Sequence, residues 1–519
     1  MSTQFKRNIS LFSLTMTGVT TIVGSGWLLG TQKIAELAGP SAILAWCFGA
    51  LIALLVGLFY VEIGSAHPSA GGIGYYSHVT HGRFCGFLTS WINWLSIVAV
   101  APLEAQATIQ YLSQMNPTMM LLYDMQNHNL THIGILIAVA LMFLFMLVNY
   151  WSVQFYIRFN NIFTLIKVAV PILTIVVLFA HGLHYQNFGH NEATFMPGGM
   201  RAIFVSIISA GVVMSFNGFQ SPMTFSEEIK SPKKMLPIAV AGSIIFALIL
   251  YVLLEAVFIG SVDPSKLAQV GFAGLDFRSP YVDLLMLANI QIMVTIIYAG
   301  SLISPGVCAV TFLASSSRIL YSLSYNKHLP QFLSMLHAKY RTPRNAIITC
   351  TVMGCVFLFL FKGWYQLVAV ISVLHVFSYV AAPIITIANR IKHKEILKAK
   401  DQFILKGGLI LAPVLLFILS CLLFYAAWPL AAEMLVLVLP GLVFYFYYER
   451  LYHKEDHFLK SFKGASWLVL YIIGISAIAF LGNRPSVTHN LISMSTSMML
   501  LALLSLFTFI YGAFFAAER

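Results

Sequence analysis

Apolar stretches of roughly 18 to 30 residues recur along this chain, separated by short polar connections, and about 20 apolar residues suffice to cross a bilayer as a helix. That pattern predicts an all-α membrane protein with about fourteen transmembrane helices. The predicted spans are 9–37, 41–64, 84–113, 133–150, 159–182, 199–229, 236–261, 289–322, 345–362, 364–390, 408–428, 430–448, 465–482 and 491–516. The segment 391–407 marks the expected boundary between a ten-helix core, 1–390, and four additional helices, 391–519. No connection is long enough to fold as a soluble domain.

Two spans are interrupted in their middles. The first contains Ile22-Val23-Gly24-Ser25-Gly26-Trp27, and the sixth contains Ser215-Phe216-Asn217-Gly218-Phe219. Small residues in membrane helices also serve close packing. The pairing of the two interruptions, at corresponding positions of two five-helix halves (about 9–182 and 199–390), is what predicts an inverted repeat with broken helices 1 and 6.

Unwinding a membrane helix leaves backbone N–H and C=O groups unpaired, a state tolerated only where they face protein or a water-filled cavity. N–H groups at the start of a half-helix favour a carboxylate, and freed carbonyls at a half-helix end favour an ammonium or a cation. An α-amino acid carries both groups one carbon apart. The expected substrate-binding residues are therefore Ile22, Val23, Gly24, Ser25, Gly26, Trp27, Ser215, Phe216, Asn217, Gly218 and Phe219. Residues 24–27 would hold the carboxylate, carbonyls near 22–23 and 215–216 the amine, and Phe216 or Phe219 would close over the ligand.

Composition sharpens this. Hydrophobic residues make up 59% of the chain and charged residues 9%, which excludes a water-soluble globule. A net charge of +12 would suggest nucleic acid in a soluble protein, but here the cations lie in interhelical loops and the lipid bilayer is the expected partner. With the N-terminus in the cytoplasm, only Lys33, Arg201, Lys266, Arg278, Lys362 and Arg484 fall outside. That bias predicts a multi-pass protein of the cell membrane with both termini cytoplasmic. The first span follows Lys6 and Arg7 as a signal peptide would, yet it lacks a small-residue cleavage site and is expected to be retained as helix 1. The six cysteines show no metal spacing and are expected as free thiols.

Charges within spans are costly and therefore informative. Lys167 lies mid-span in helix 5, either as a fixed charge capping broken-helix carbonyls or as an amine that loads and releases a proton. Glu104 and Glu255 lie in spans 3 and 7 close to the outer end, where a lone carboxylate is often interfacial, and Glu255 is expected there. Glu62 and Arg318 are expected at an inner gate or loop clamp, and His375 as a buried histidine with a local hydrogen bond. The run His453-Lys454-Glu455-Asp456-His457 reads as a solvated loop, so no metal is expected. No His-Glu-x-x-His, Gly-x-Ser-x-Gly or P-loop motif is present, and neither an enzyme, a cofactor nor ATP is expected.

Several motifs in order carry a family resemblance. They are Gly24-Ser25-Gly26, Ala38-Gly39-Pro40, Tyr60-Val61-Glu62-Ile63 with His67-Pro68-Ser69-Ala70-Gly71-Gly72, Asn149-Tyr150-Trp151-Ser152-Val153, Ile162-Phe163-Thr164-Leu165-Ile166-Lys167, Glu227-Glu228-Ile229-Lys230-Ser231-Pro232 and Ser317-Arg318-Ile319-Leu320-Tyr321. With them the chain resembles the amino acid-polyamine-organocation superfamily, which implies a LeuT-like 5+5 inverted repeat over helices 1 to 10. Gly24-Ser25-Gly26-Trp27-Leu28, the Asn149 to Val153 run, Leu302-Ile303-Ser304-Pro305-Gly306 and the two helices beyond the usual twelve look most like a bacterial aspartate-proton symporter branch.

The resemblance implies proton-coupled import of an amino acid, with acidic amino acids as a candidate class. It gives Glu104 and Lys167 proton-coupling roles, the Lys167 ammonium standing where related transporters hold sodium, near Val23 and Ser304. A side-chain carboxylate calls for a cationic or strongly donating partner, and spans 1 and 6 offer only Ser25, Ser215, Asn217 and Gln220. An amino acid/polyamine exchanger and a permease-like nutrient sensor are the alternative readings.

Overall fold

The computed structural model describes residues 9–67, 72–151, 153–275, 277–340, 342–393, 402–426, 428, 430–452, 458–482 and 491–517. His453–His457 and Pro68–Gly71 lie outside the described residues.

In chain order the helices are α1 (Leu11–Ile22), α2 (Gly26–Ala38), α3 (Ala42–Ala66), α4 (Gly72–Val98), α5 (Val100–Leu112), α6 (His132–Trp151) and α7 (Val153–His181). Then come α8 (Glu192–Phe195), α9 (Gly199–Ser209), α10 (Val212–Ser215), α11 (Pro232–Ser261), α12 (Pro264–Val270), α13 (Pro280–Leu287), α14 (Gln291–Tyr325), α15 (Arg344–Leu360), α16 (Trp364–Tyr379) and α17 (Ala381–Lys392). The last are α18 (Gly408–Tyr425), α19 (Leu430–Tyr452), α20 (Phe458–Leu481) and α21 (Met494–Ile510), the last continuing as a π-helical turn to Ala516. Among the described residues, 10 helical stretches are long and apolar enough to cross a membrane, with Leu11–Ile22 and Arg344–Leu360 as shorter apolar helices.

Two features depart from the sequence reading. A helix from Gly72 precedes the predicted span 84–113: α4 is two helices joined at a kink, where Gly82 (φ 82°, ψ −172°) leaves the helical conformation. A two-stranded antiparallel hairpin, Tyr123–Asp124 against Asn129–Leu130, breaks the all-α expectation in the loop after α5. Asp124 fixes its turn by accepting from the N–H of Gln126 and the side-chain amide of Asn127.

The core sits where α1 and α3 pack on α11 and where α5 and α7 pack on α14. The later helices are packed onto it, α20 against α4 and α18 against α9 and α17. A buried seam joins them, with His81 Nε2 2.9 Å from the Gly512 carbonyl and the Phe84 N–H donating to Ser461 Oγ at 2.9 Å. At the end of α3, Glu62 takes two hydrogen bonds from Arg390 at 2.6 Å each and one from the Leu405 N–H at 2.8 Å. The partner of Glu62 is thus Arg390, which the sequence reading did not name beside it.

Candidate functional site

The first interruption follows from backbone geometry. Val23 turns extended (φ −78°, ψ 93°) and ends α1, and α2 restarts at Gly26. The Ser25 carbonyl accepts the first bonds of α2, from the N–H groups of Leu28 and Leu29. The Ser25 N–H then has no helical partner, and it donates to Glu104 Oε1 of α5 at 3.2 Å. Any side chain at Gly24 would strike that carboxylate and Cys308 Sγ. The pair is a carboxylate on the positive end of a half-helix, the arrangement the helix dipole favours.

The second interruption is wider than expected. It starts at Gly211, which is left-handed (φ 90°), not at Ser215. The one-turn helix α10 follows, then a turn through Phe216–Gln220 with Gly218 at φ 109°. The expected residues Ser215, Phe216, Asn217, Gly218 and Phe219 lie at the end of α10 and in that turn.

The two interruptions meet. The Tyr251 hydroxyl of α11 lies 3.0 Å from the Ile22 carbonyl and 3.1 Å from the Ser215 carbonyl. Thr21 Oγ1 reaches the Gly218 carbonyl at 3.0 Å. Gly26 and Ser215 touch so closely that a β-carbon on Gly26 would collide with the Ser215 side chain. From α14, Ser304 Oγ donates to the Gly24 carbonyl at 3.2 Å, and from α16, Trp364 Nε1 donates to Ser25 Oγ at 3.1 Å.

Lys167 is fully buried on α7 and donates to the Thr20 carbonyl at 2.7 Å. Its contact is one turn before the break, earlier than the expected Val23, and the Gly24 carbonyl is taken by Ser304 instead. Glu104 and Lys167 both border the first interruption, one on the Ser25 N–H and the other on the Thr20 carbonyl. Glu255, expected at the interface, is fully buried: Trp46 Nε1 donates to its Oε2 at 2.8 Å, a contact 209 residues apart that the sequence could not reveal. His375 Nδ1 lies 2.9 Å from the Ile371 carbonyl, the local bond expected of it.

The aromatic residues are buried against other helices. Phe216 packs edge-on to Trp46 and Tyr251, and Phe219 lies 5.5 Å from the Tyr379 ring. Around the junction Glu104 Oε2, Ser215 Oγ, Asn217 Nδ2 and Trp27 Nε1 are buried without a hydrogen-bond partner. Tyr251 has a single proton for two carbonyls. Such a junction is short of both donors and acceptors, and a small zwitterion supplies both. Tyr251, Cys308 and Trp364 carry no signal in the sequence beyond being polar groups in apolar spans.

A multi-pass helical membrane protein with two interrupted helices facing each other across a buried polar junction is the architecture of a solute carrier. Residues 9–448 match the family model described as amino acid permease, and the chain belongs to that family, within the amino acid-polyamine-organocation superfamily. It is 37% identical over 512 residues to the glutamate/serine transporter AimA of Bacillus subtilis (strain 168), covering 98% of this chain and 94% of that protein. It is 30% identical over 482 residues to the aspartate-proton symporter of the same organism, covering 92% and 91%. It is 25% identical over 456 residues to the branched-chain amino acid permease BcaP of that organism, covering 86% and 94%. Membership in this family marks a transporter and not an enzyme.

Proposed function

We propose that this chain is a proton-coupled importer of amino acids in the cell membrane, with acidic amino acids among its substrates. The glutamate/serine and aspartate transporters it resembles support the substrate class. On this reading the core of residues 1–390 is a LeuT-like 5+5 inverted repeat, the two interruptions are its broken helices 1 and 6, and both termini are cytoplasmic.

The observation that carries the reading is the bond from the Ser25 N–H to Glu104. Glu104 occupies the N–H at the start of α2, the position where a substrate α-carboxylate would bind. Two carboxylates cannot share that N–H without strong repulsion. When Glu104 takes up a proton its hold on Ser25 weakens, and the substrate carboxylate replaces it on the N–H groups of residues 24–27. The substrate ammonium supplies the donors that Tyr251 divides between the Ile22 and Ser215 carbonyls. Lys167, on the Thr20 carbonyl, holds the end of α1 in register without sodium. One proton then enters with each substrate.

Uptake into proteoliposomes of the full chain tests this. A pH gradient, acidic outside, should concentrate labelled glutamate, aspartate or serine in sodium-free buffer, and a protonophore should abolish it. Uptake that needs sodium would overturn the proton coupling, and uptake only into vesicles preloaded with an amino acid or polyamine would favour the exchanger reading and overturn this one. Binding without transport would favour a sensor.

A further inference from the structure

Where α2 runs away from the break, a cavity of about 250 Å³ is lined by Gln32, Lys33 and Glu36 of α2, Gln110 of α5, Tyr123 of the hairpin and Arg278 before α13, among others. That volume suits a metabolite, being just below the roughly 300–1,000 Å³ of sites for larger ligands. Three polar atoms of its lining are buried and lack any hydrogen-bond partner: Gln32 Oε1, Gln110 Oε1 and the Tyr123 hydroxyl. Their residues are 8%, 5% and 5% exposed. The two amides are fixed by their other ends, Gln32 Nε2 on the Leu275 carbonyl at 2.8 Å and Gln110 Nε2 on the Arg278 carbonyl at 3.4 Å. Their oxygens are thus committed as acceptors. Lys33 Nζ is 2.6 Å from Glu36 Oε1, so those charges match, and Arg278 is a further cation of the lining, with the Asp283 carboxylate on its backbone N–H at 2.7 Å.

We infer that this cavity captures an acidic amino acid before it reaches the break, an inference that rests on the acidic-import reading above. The side-chain carboxylate pairs with Arg278 and the Tyr123 hydroxyl, the α-carboxylate with Lys33, and the ammonium with the oxygens of Gln32 and Gln110. A neutral amino acid has no group for Arg278. By the charge bias of the loops, Lys33 and Arg278 are two of only six cations expected on the outer face, and both converge here.

The cavity is tied to the break by the same elements. Gln32 follows Gly26, and Gln110 follows Glu104, by about 9 Å along their helices. Trp364 bonds Ser25 Oγ, while its neighbour Tyr365 lines the cavity and donates to the Leu29 carbonyl at 3.3 Å. Between the two levels lie the buried rings of Trp27, Tyr111 and Tyr281, with Tyr111 donating to the Leu28 carbonyl at 2.8 Å and Tyr281 paired with Thr31 at 3.0 Å. This layering explains why the interruptions hold no cation for a side-chain carboxylate: selection on charge occurs one layer out.

Initial uptake rates of labelled glutamate and serine decide the matter, measured on proteoliposomes of the wild type, Arg278→Gln and Tyr123→Phe. Arg278→Gln should raise KM for glutamate about tenfold at unchanged maximal rate and leave KM for serine within about twofold, the scale of a lost charge-assisted hydrogen bond. Tyr123→Phe, which removes a single oxygen and keeps the ring, should raise KM for glutamate about threefold to tenfold. Unchanged KM in both variants, or equal rises for serine and glutamate, would overturn the capture site while wild-type glutamate uptake leaves the acidic-import reading standing. A wild type that takes up serine but not glutamate or aspartate overturns both.

Discussion

Replacing Glu104 by Gln separates the charge of this group from its shape. The amide oxygen can still accept from the Ser25 N–H that Glu104 Oε1 now holds at 3.2 Å, so the break keeps its local partner. What changes is the strength of the competitor. A hydrogen bond to a charged group contributes about 1.5–3 kcal/mol against about 0.5–1.5 kcal/mol for a neutral one. The helix N-terminus adds roughly 0.3–1 kcal/mol for a negative charge. The substitution therefore removes about 1–2 kcal/mol of competition, and substrate at neutral pH should bind roughly fivefold to thirtyfold more tightly.

The pH dependence should change in the same variant, with a definite sign. In the wild type, raising the pH ionises Glu104, strengthens its hold on Ser25 and weakens substrate binding, by at most about tenfold per pH unit for one linked proton. In Glu104→Gln that slope should vanish, while the variant exchanges substrate across the membrane but no longer concentrates it under a pH gradient. Isothermal titration of glutamate or serine into purified protein between pH 5.5 and 8, paired with counterflow and gradient-driven uptake, reads both effects. A variant that keeps the wild-type pH slope, or that still concentrates substrate, refutes the displacement of Glu104 by the substrate carboxylate.

Three further outcomes follow from the same junction. Gly26→Ala should abolish substrate binding and cost about 1–3 kcal/mol from overpacking, and Ser215→Gly in the same chain should restore part of both, because the collision is with the Ser215 side chain; a double variant no better than the single one counts against that contact. Tyr251→Phe strips the shared donor from the Ile22 and Ser215 carbonyls, and it should lower the melting temperature of the ligand-free protein by an amount corresponding to about 1–3 kcal/mol, an effect that saturating substrate partly reverses in a thermal-shift assay. Lys167→Ala leaves the Thr20 carbonyl without its donor and should eliminate sodium-free accumulation driven by pH; accumulation at the wild-type level would show that Lys167 does not hold the break.

The first interruption was legible because Gly24-Ser25-Gly26 puts two poor helix formers inside an apolar run, a local conflict visible in any one-dimensional reading. The second was placed four residues late. Gly211 sits between Ala210 and Val212, where a glycine looks like a packing position, and only its left-handed backbone reveals that the helix has already opened there. What fills the openings was legible only in part: Lys167 was expected on carbonyls of the first break, and it lies on that of Thr20. Glu104 meets Ser25 across 79 residues, Lys167 meets Thr20 across 147, and Tyr251 meets Ile22 across 229. Helical periodicity carries no information at such separations, so the sequence could mark where the backbone opens but not which backbone group each side chain meets when substrate is absent. That distinction bears on mechanism. A carboxylate on the N–H of Ser25 is a competitor for substrate, and a competitor that loses its grip on protonation links the proton to the substrate without any contact between the two; the coupling would reside in one shared hydrogen-bond donor, which is why a single isosteric change at position 104 is expected to uncouple transport while sparing the fold.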